Sequence, residues 1–400
     1  MPSWPQDRLP PFHTPSPHAP MSVLRPKPPE DPITFTLGSL AEAVTGPLSA
    51  VETAVENVSR ASLAASLGAG PLLDHYMTDR PASELFAALA TARQLREAVD
   101  AVVLVSESSL GHAVHGLVTT CCHPFHNHLS RGERGGRPRL LCDVGQFEPD
   151  RTAGLIDLID AARGHDLLDR WGLVRLKVNA PASGDATRAA WYAAAFADHA
   201  AQQRADGASR LEMSVPDGAD ADVFVAPLLI AASLAGIDVV RFLTGGVAMT
   251  KRFLESPAES NPPLLLAAAM RACLTASEPA SLMLSAEHAP SAQAFARWWA
   301  TQTHLVTQAC LPNRTGSPRE ERPCLLRVGE PRRSAPLRGH ATSCTSQPFA
   351  SVCQEAMDDA VMIVLPRLDE HTLGQLIAMR LLAIRALDCL SAASDASPTA

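Results

Sequence analysis

Between residues 82 and 390 the chain alternates short apolar runs with longer stretches whose apolar positions recur every three or four residues. The first pattern fits strands buried on both faces, and the second fits amphipathic helices packed against them. ASELFAALATARQLREAV, residues 82–99, opens the series. Its Leu85, Phe86, Leu89, Leu95 and Val99 fall near helical spacing, with Pro81 just ahead of the start. VVLV at 102–105 predicts a strand leading into a helix after Gly111. LLC at 140–142 predicts the next strand, followed by the helix TAGLIDLIDAA. GLVRLKV at 172–178 precedes an Ala-rich helix after Asp185, and LEMSV at 211–215 leads into VAPLLIAASLAG. A second cycle opens with SLMLS at 281–285 and closes with AVMIVLP at 360–366. The final helix runs from about Glu370 to Leu390, with Leu373, Leu376, Ile377, Leu381, Ile384 and Leu387 as its buried stripe. Such alternation predicts right-handed crossovers and doubly wound parallel sheets, an α/β fold of three layers.

Two stretches break the alternation. Residues 1–32 hold eleven of the 33 prolines without any period, which predicts a disordered arm and leaves Met1 and Met21 open as starts. Residues 313–339 are rich in Pro and Arg and lack a helical or strand period. A loop is expected there, its arginines forming a solvated charge run. The tail 391–400 is expected to be disordered.

Composition narrows the function classes. A net charge of −8 argues against nucleic acid as a partner. No apolar run approaches the roughly 18 residues that span a bilayer. The nine cysteines, scattered from Cys121 to Cys389, do not form a disulfide framework, so reduced thiols and a cytoplasmic location are expected. CCHPFHNH, 121–128, gathers two thiols and three imidazoles, yet lacks the second ligand pair that tetrahedral zinc commonly uses. No metal is expected.

Five stretches occurring in order carry a resemblance: PFHNHLSRGERGGRPRLL (124–141), AGLIDLID, RWGLV (170–174), AGIDVV (235–240) and LPRLDEHTLGQL (365–376). Together they resemble the bacterial glucose-6-phosphate isomerases, which are built from two sugar-isomerase (SIS) domains. The resemblance implies SIS-like domains over 33–275 and 276–390. It also implies interconversion of glucose 6-phosphate and fructose 6-phosphate without metal or organic cofactor, and a homodimer.

That reaction needs a cradle of N–H and hydroxyl donors for a dianionic phosphate. It also needs a ring-opening acid–base group, a carboxylate that moves the proton, and a cation. The resemblance places the first phosphate turn at AVVLVSESSLG, where Ser108 and Ser109 remain as hydroxyl donors. Leu104, Val105, Ser106 and Glu107 stand where the family has a glycine run. A negative charge about 5 Å from a phosphate at an effective dielectric near 20 repels it by about 3 kcal/mol. That is roughly a hundredfold in affinity. The second turn falls in KVNAPASGDAT, where Ser183 and Thr187 are the remaining phosphate-binding candidates and Asp185 again adds negative charge. Both turns also fit helix N-caps. His340, in RGHATSC, matches the ring-opening histidine.

The remaining catalytic positions are replaced. Asp222 or a neighbour stands where the family has an arginine, and residues 296–311 contain neither Glu nor Asp, although His304 lies there. No lysine follows Lys251. Glu370, His371 and Gln375 match the family in a stretch better suited to a helix start than to chemistry. Two readings follow: an isomerase, or a non-catalytic descendant that binds a sugar phosphate or another protein.

Overall fold

The computed structural model describes residues 32–106, 110–123, 125–144, 153–154, 157, 171–178, 209–215, 223–276, 280–285, 292–296, 298–299, 320–330 and 361–395. Before the first sheet come β1 (Thr34–Thr36), α1 (Ala41–Val58), α2 (Arg60–Ala65), α3 (Ala69–Thr78) and α4 (Glu84–Ala98). The start of α4 follows from its sequence. Ser83 accepts a hydrogen bond from the Phe86 N–H and Glu84 occupies the first turn, so a hydroxyl and a carboxylate answer the helix's unpaired amides.

The first sheet comprises β2 (Ala101–Ser106), β3 (Arg139–Val144), β4 (Trp171–Val178) and β5 (Ser209–Val215), in the order β3-β2-β4-β5. All three pairings are parallel. Every residue of β2 is buried, as expected of a central parallel strand covered on both faces. α5 (Leu110–Cys121) follows β2, and α6 (Ala226–Ala235) and α7 (Val239–Glu255) follow β5. α6 ends at Gly236, whose φ of 83° is the left-handed conformation that glycine adopts without strain. Ile237 N–H bonds back to the Ala232 carbonyl and Gly236 N–H to that of Ser233, closing the helix end.

The second sheet has the order β1-β8-β7-β6, with β6 (Ala280–Ser285), β7 (Glu320–Glu330) and β8 (Val361–Arg367) parallel and β1 antiparallel at the edge. Here the structure departs from the sequence expectation. The loop predicted for 313–339 contains an 11-residue strand, EERPCLLRVGE. Cys324 and Leu326 of β7 are buried, at the two ends of an apolar run only three residues wide and flanked by charge. β1, three residues long, gave no period of its own.

Two further helices are α8 (Pro262–Thr275) and α9 (Glu370–Asp395), and α9 runs five residues past Leu390 into the tail expected to be disordered. The crossing of α7 and α9 is backbone against backbone. A Cβ added at Gly245 would lie 1.9 Å from the His371 carbonyl oxygen, and one at Gly374 would lie 2.0 Å from that of Phe242. Arg241 of α7 pairs with Asp369 at 2.8 Å, and Asp369 also caps α9 by accepting the Thr372 N–H. Deeper in α9 the buried Arg380 donates to the Trp299 carbonyl, and its guanidinium lies about 5 Å from the ring centres of Trp298 and Trp299. Burial pushes its pKa down to about 9.

Candidate functional site

In the first sheet the chain starts in the middle, at β2, moves outward to β3, and returns past β2 to β4 and β5. Successive strands thus add on opposite sides of β2, which makes the carboxyl ends of β2 and β4 a topological switch point. Open parallel sheets bind ligands in the crevice outside such ends, because the connecting segments diverge there. The register is close. Ser106, the last residue of β2, pairs with Leu176, two residues before the end of β4.

The row one step back crosses all four strands. Val105 pairs with Asp143 on β3 and with Arg175 on β4, and Arg175 pairs with Glu212 on β5. Arg175 is 9% exposed in a strand whose neighbours Val174 and Leu176 are fully buried. As sequence, GLVRLKV reads as a plain strand, although its two cations, at 175 and 177, fall on alternate positions where a buried strand should carry apolar residues.

α5 begins just after the switch point, with His112 in its first turn. His112 is half-buried, and burial holds its imidazole below the ordinary 6.5, so it is neutral at pH 7. One turn on, Gly116 lies against the backbone of Phe295, where an added Cβ would come within 3.0 Å of its Cα. α5 thereby meets the helical residues 293–296 that follow β6.

Ser108, Ser109 and Glu107 belong to the segment joining β2 to α5, and Ser183, Asp185 and Thr187 follow β4. These residues, with Asp222, His304 and His340, lie outside the described residues. Strand connectivity therefore assigns both predicted phosphate turns to segments leaving adjacent strand ends, without describing the turns themselves.

The other singled-out residues serve the fold. Gln375 accepts the Ile33 N–H at 3.4 Å and lies 3.1 Å from His371 Nδ1, tying α9 to the edge strand. In the stretch 125–141, Asn127 both accepts the Leu140 N–H and donates to its carbonyl, docking the segment onto β3. Arg131 bonds the Arg96 and Val99 carbonyls and pairs with Asp100. Ser130 and Glu133 bond each other's backbone amides. His123 Nδ1 accepts the Phe125 N–H, His126 Nε2 lies 3.4 Å from the Pro138 carbonyl, and Cys122 Sγ donates to that of Ala235. Among the described residues no three His, Cys, Asp or Glu converge as metal ligands. No helix among them is long and apolar enough to cross a membrane.

The chain matches no protein-family profile and no curated protein. Among the solved structures similar to it are the following two. A hypothetical protein of Thermus thermophilus is 16% identical over 89% of this chain and 94% of its own, with a TM-score of 0.50. A glucose-6-phosphate isomerase of Chlamydia trachomatis is 12% identical over 77% of this chain and 68% of its own, with a TM-score of 0.51. These similarities are distant and structural. They show a mixed α/β fold with parallel sheets.

Proposed function

We propose that this protein is a non-catalytic relative of the glucose-6-phosphate isomerases, with two SIS-like halves and a crevice at the carboxyl ends of β2 and β4 that binds a sugar or sugar phosphate. The observation that carries this reading is the switch point itself. β2 and β4 are adjacent and parallel, and both segments matched to phosphate turns leave from neighbouring strand ends. The structural similarity to an isomerase supports the ancestry. The replaced residues argue against turnover: Glu107 stands in the glycine run, no carboxylate lies between 296 and 311, and no lysine follows Lys251. Loss of one such group typically costs orders of magnitude in rate, and losses within one unit leave little to remove.

A coupled assay of fructose 6-phosphate conversion tests the catalytic half of this reading, with turnover expected at background. Thermal unfolding with millimolar glucose 6-phosphate tests the binding half, because a ligand that binds only the native state raises its midpoint. Ordinary isomerase rates would reject the first statement, and an unmoved midpoint with every sugar tried would reject the second. The latter result would favour a protein-interaction module, for which Phe125 is the specific observation. It is 61% exposed, with the rings of His123 and His128 about 6 Å away.

A further inference from the structure

We infer that the segment from Phe125 to Arg139, between α5 and β3, is a docking surface for an acidic segment of a partner protein, with Phe125 as its apolar anchor and Arg137 and Arg139 as its carboxylate-binding groups. Arg139 pairs with Ala101 where both strands begin, so this surface stands at the amino edge of the first sheet, opposite the crevice at the ends of β2 and β4. The assignment deepens the reading of the chain as an interaction module, and it holds whether or not that crevice takes a sugar. The segment is built to keep its shape. Asn127 is bonded twice to Leu140, Arg131 holds the Arg96 and Val99 carbonyls, and Ser130 and Glu133 close on each other. Arg134 donates to the carbonyls of Leu129 and Arg137, and the Leu129 N–H returns to the Phe125 carbonyl. The Phe125 N–H donates to His123 Nδ1. The turn that presents Phe125 is thus held at both ends, and a surface already fixed loses little freedom when it is covered.

Its side chains make two demands that the fold leaves unmet. Phe125 is 61% exposed, with the exposed rings of His123 and His128 about 6 Å away. Aromatic side chains on a fixed backbone are those that protein interfaces bury at their centres. The second demand is charge. Residues 125–139 carry four arginines against one carboxylate, Glu133, in a chain of net charge −8. Asp100 neutralises Arg131, whereas Arg134 bonds carbonyls, which leave its charge standing. The ion pairs among the described residues include neither Arg137 nor Arg139. Their repulsion reaches the neighbours. The Arg134 guanidinium is held below its ordinary range by burial and then by Arg139 and Arg131, and the His126 imidazole by burial with Arg134 and Arg137 adding to it. Arg137 lies over Gly236 so closely that no Cβ would fit there, and the preceding Ala235 accepts from Cys122. Cation and anchor are therefore neighbours at the end of α6. A guanidinium presents a planar fork that matches the two oxygens of a carboxylate. Nucleic acid would be drawn by the same cations but repelled by a chain acidic overall, which favours protein as the partner.

The test follows the fluorescence anisotropy of a labelled peptide of glutamates around a central Leu–Phe pair as the full chain is added, beside its lysine counterpart and a labelled oligothymidylate. The glutamate peptide binds and the other two do not. Phe125→Ala weakens it about tenfold or more, the loss expected on truncating an anchor. Arg137→Gln and Arg139→Gln each weaken it severalfold, and added salt weakens it further. Lys251→Glu on α7 is a larger charge change outside the segment, and it leaves the affinity unchanged. Thermal midpoints near wild type show that the variants keep the fold; where Arg137→Gln lowers its midpoint through the contact with Gly236, Phe125→Ala and Arg139→Gln decide. An equal loss in Lys251→Glu would mean attraction to net charge alone, and full affinity in Phe125→Ala would mean an idle anchor; either overturns the assignment. So does oligothymidylate binding as tightly as the peptide, or a glutamate peptide that does not bind at all. A crevice that binds no sugar, by contrast, leaves these outcomes untouched.

Discussion

His112 shows how a single residue reports its surroundings. An imidazole whose charged form is disfavoured by burial takes up its proton later in the folded chain than in the unfolded one. The unfolded state therefore binds more protons just below the ordinary pKa, and the folded state loses stability as pH falls through that range. Well above the ordinary 6.5 both states are unprotonated at this position, and the penalty vanishes. His126 behaves in the same direction, pushed down chiefly by burial. The expected outcome is a urea midpoint that drops on acidification in the wild type and drops less in His112→Gln. Parallel pH dependence in the two proteins would mean that His112 titrates as though exposed. The sequence offered no route to this residue. Its neighbours Ser108, Ser109 and Gly111 drew attention as a phosphate turn, and the half-burial of His112 comes from packing of the helix that only the fold reveals.

At the scale of elements, legibility followed burial. β2 and β8 carry unbroken apolar runs and β4 one interrupted by Arg175 and Lys177, and those runs predicted the strands to within a residue or two. β7 resembles a loop in sequence because its apolar centre, Cys324 to Leu326, is framed by Glu320, Glu321, Arg322, Pro323 and Arg327. Its place in the sheet depends on β6 and β8 accepting it from either side, which is long-range information. The crossing of α7 and α9 was equally hidden, although Gly374 lies in the matched stretch LPRLDEHTLGQL. Glycine is there because two backbones approach too closely for a side chain, and the opposing atoms are carbonyl oxygens that cannot swing aside. Gly374→Ala and Gly245→Ala are each expected to lower stability by about 1–3 kcal/mol, the usual size of forced overpacking, despite alanine's better helix propensity. Denaturant titration checks this, with Gly132→Ala in the turn before β3 as the control. A Cβ at that position meets nothing within 4 Å, so the same substitution there should be neutral or stabilising.

For the whole molecule, the two sheets would ordinarily count as separate cores, since single cores rarely grow beyond some 250–300 residues. Here apolar residues of β2 and β4 belong to the same continuous buried cluster as those of β6, β7 and β8. The link runs through helices. α5 lies on β2 and β3 and touches Phe295 of the second half through Gly116, while α6 and α7 connect the first sheet to α9. The sequence could suggest two cycles of strands but not this shared interior, because the contacts that merge them join residues such as 116 and 295. A shared interior predicts shared unfolding. In hydrogen exchange followed across a urea series, peptides covering 101–106 and 361–367 should lose protection at the same denaturant concentration, as members of one cooperative unit. Gly116→Val puts a branched side chain where even one Cβ lies 3.0 Å from the Phe295 backbone, so the seam between the halves must open. That variant should separate the two losses of protection, with one sheet exposed while the other stays closed. Separate midpoints already present in the wild-type chain would show instead that each sheet is stable alone and that the seam contributes nothing to holding them together.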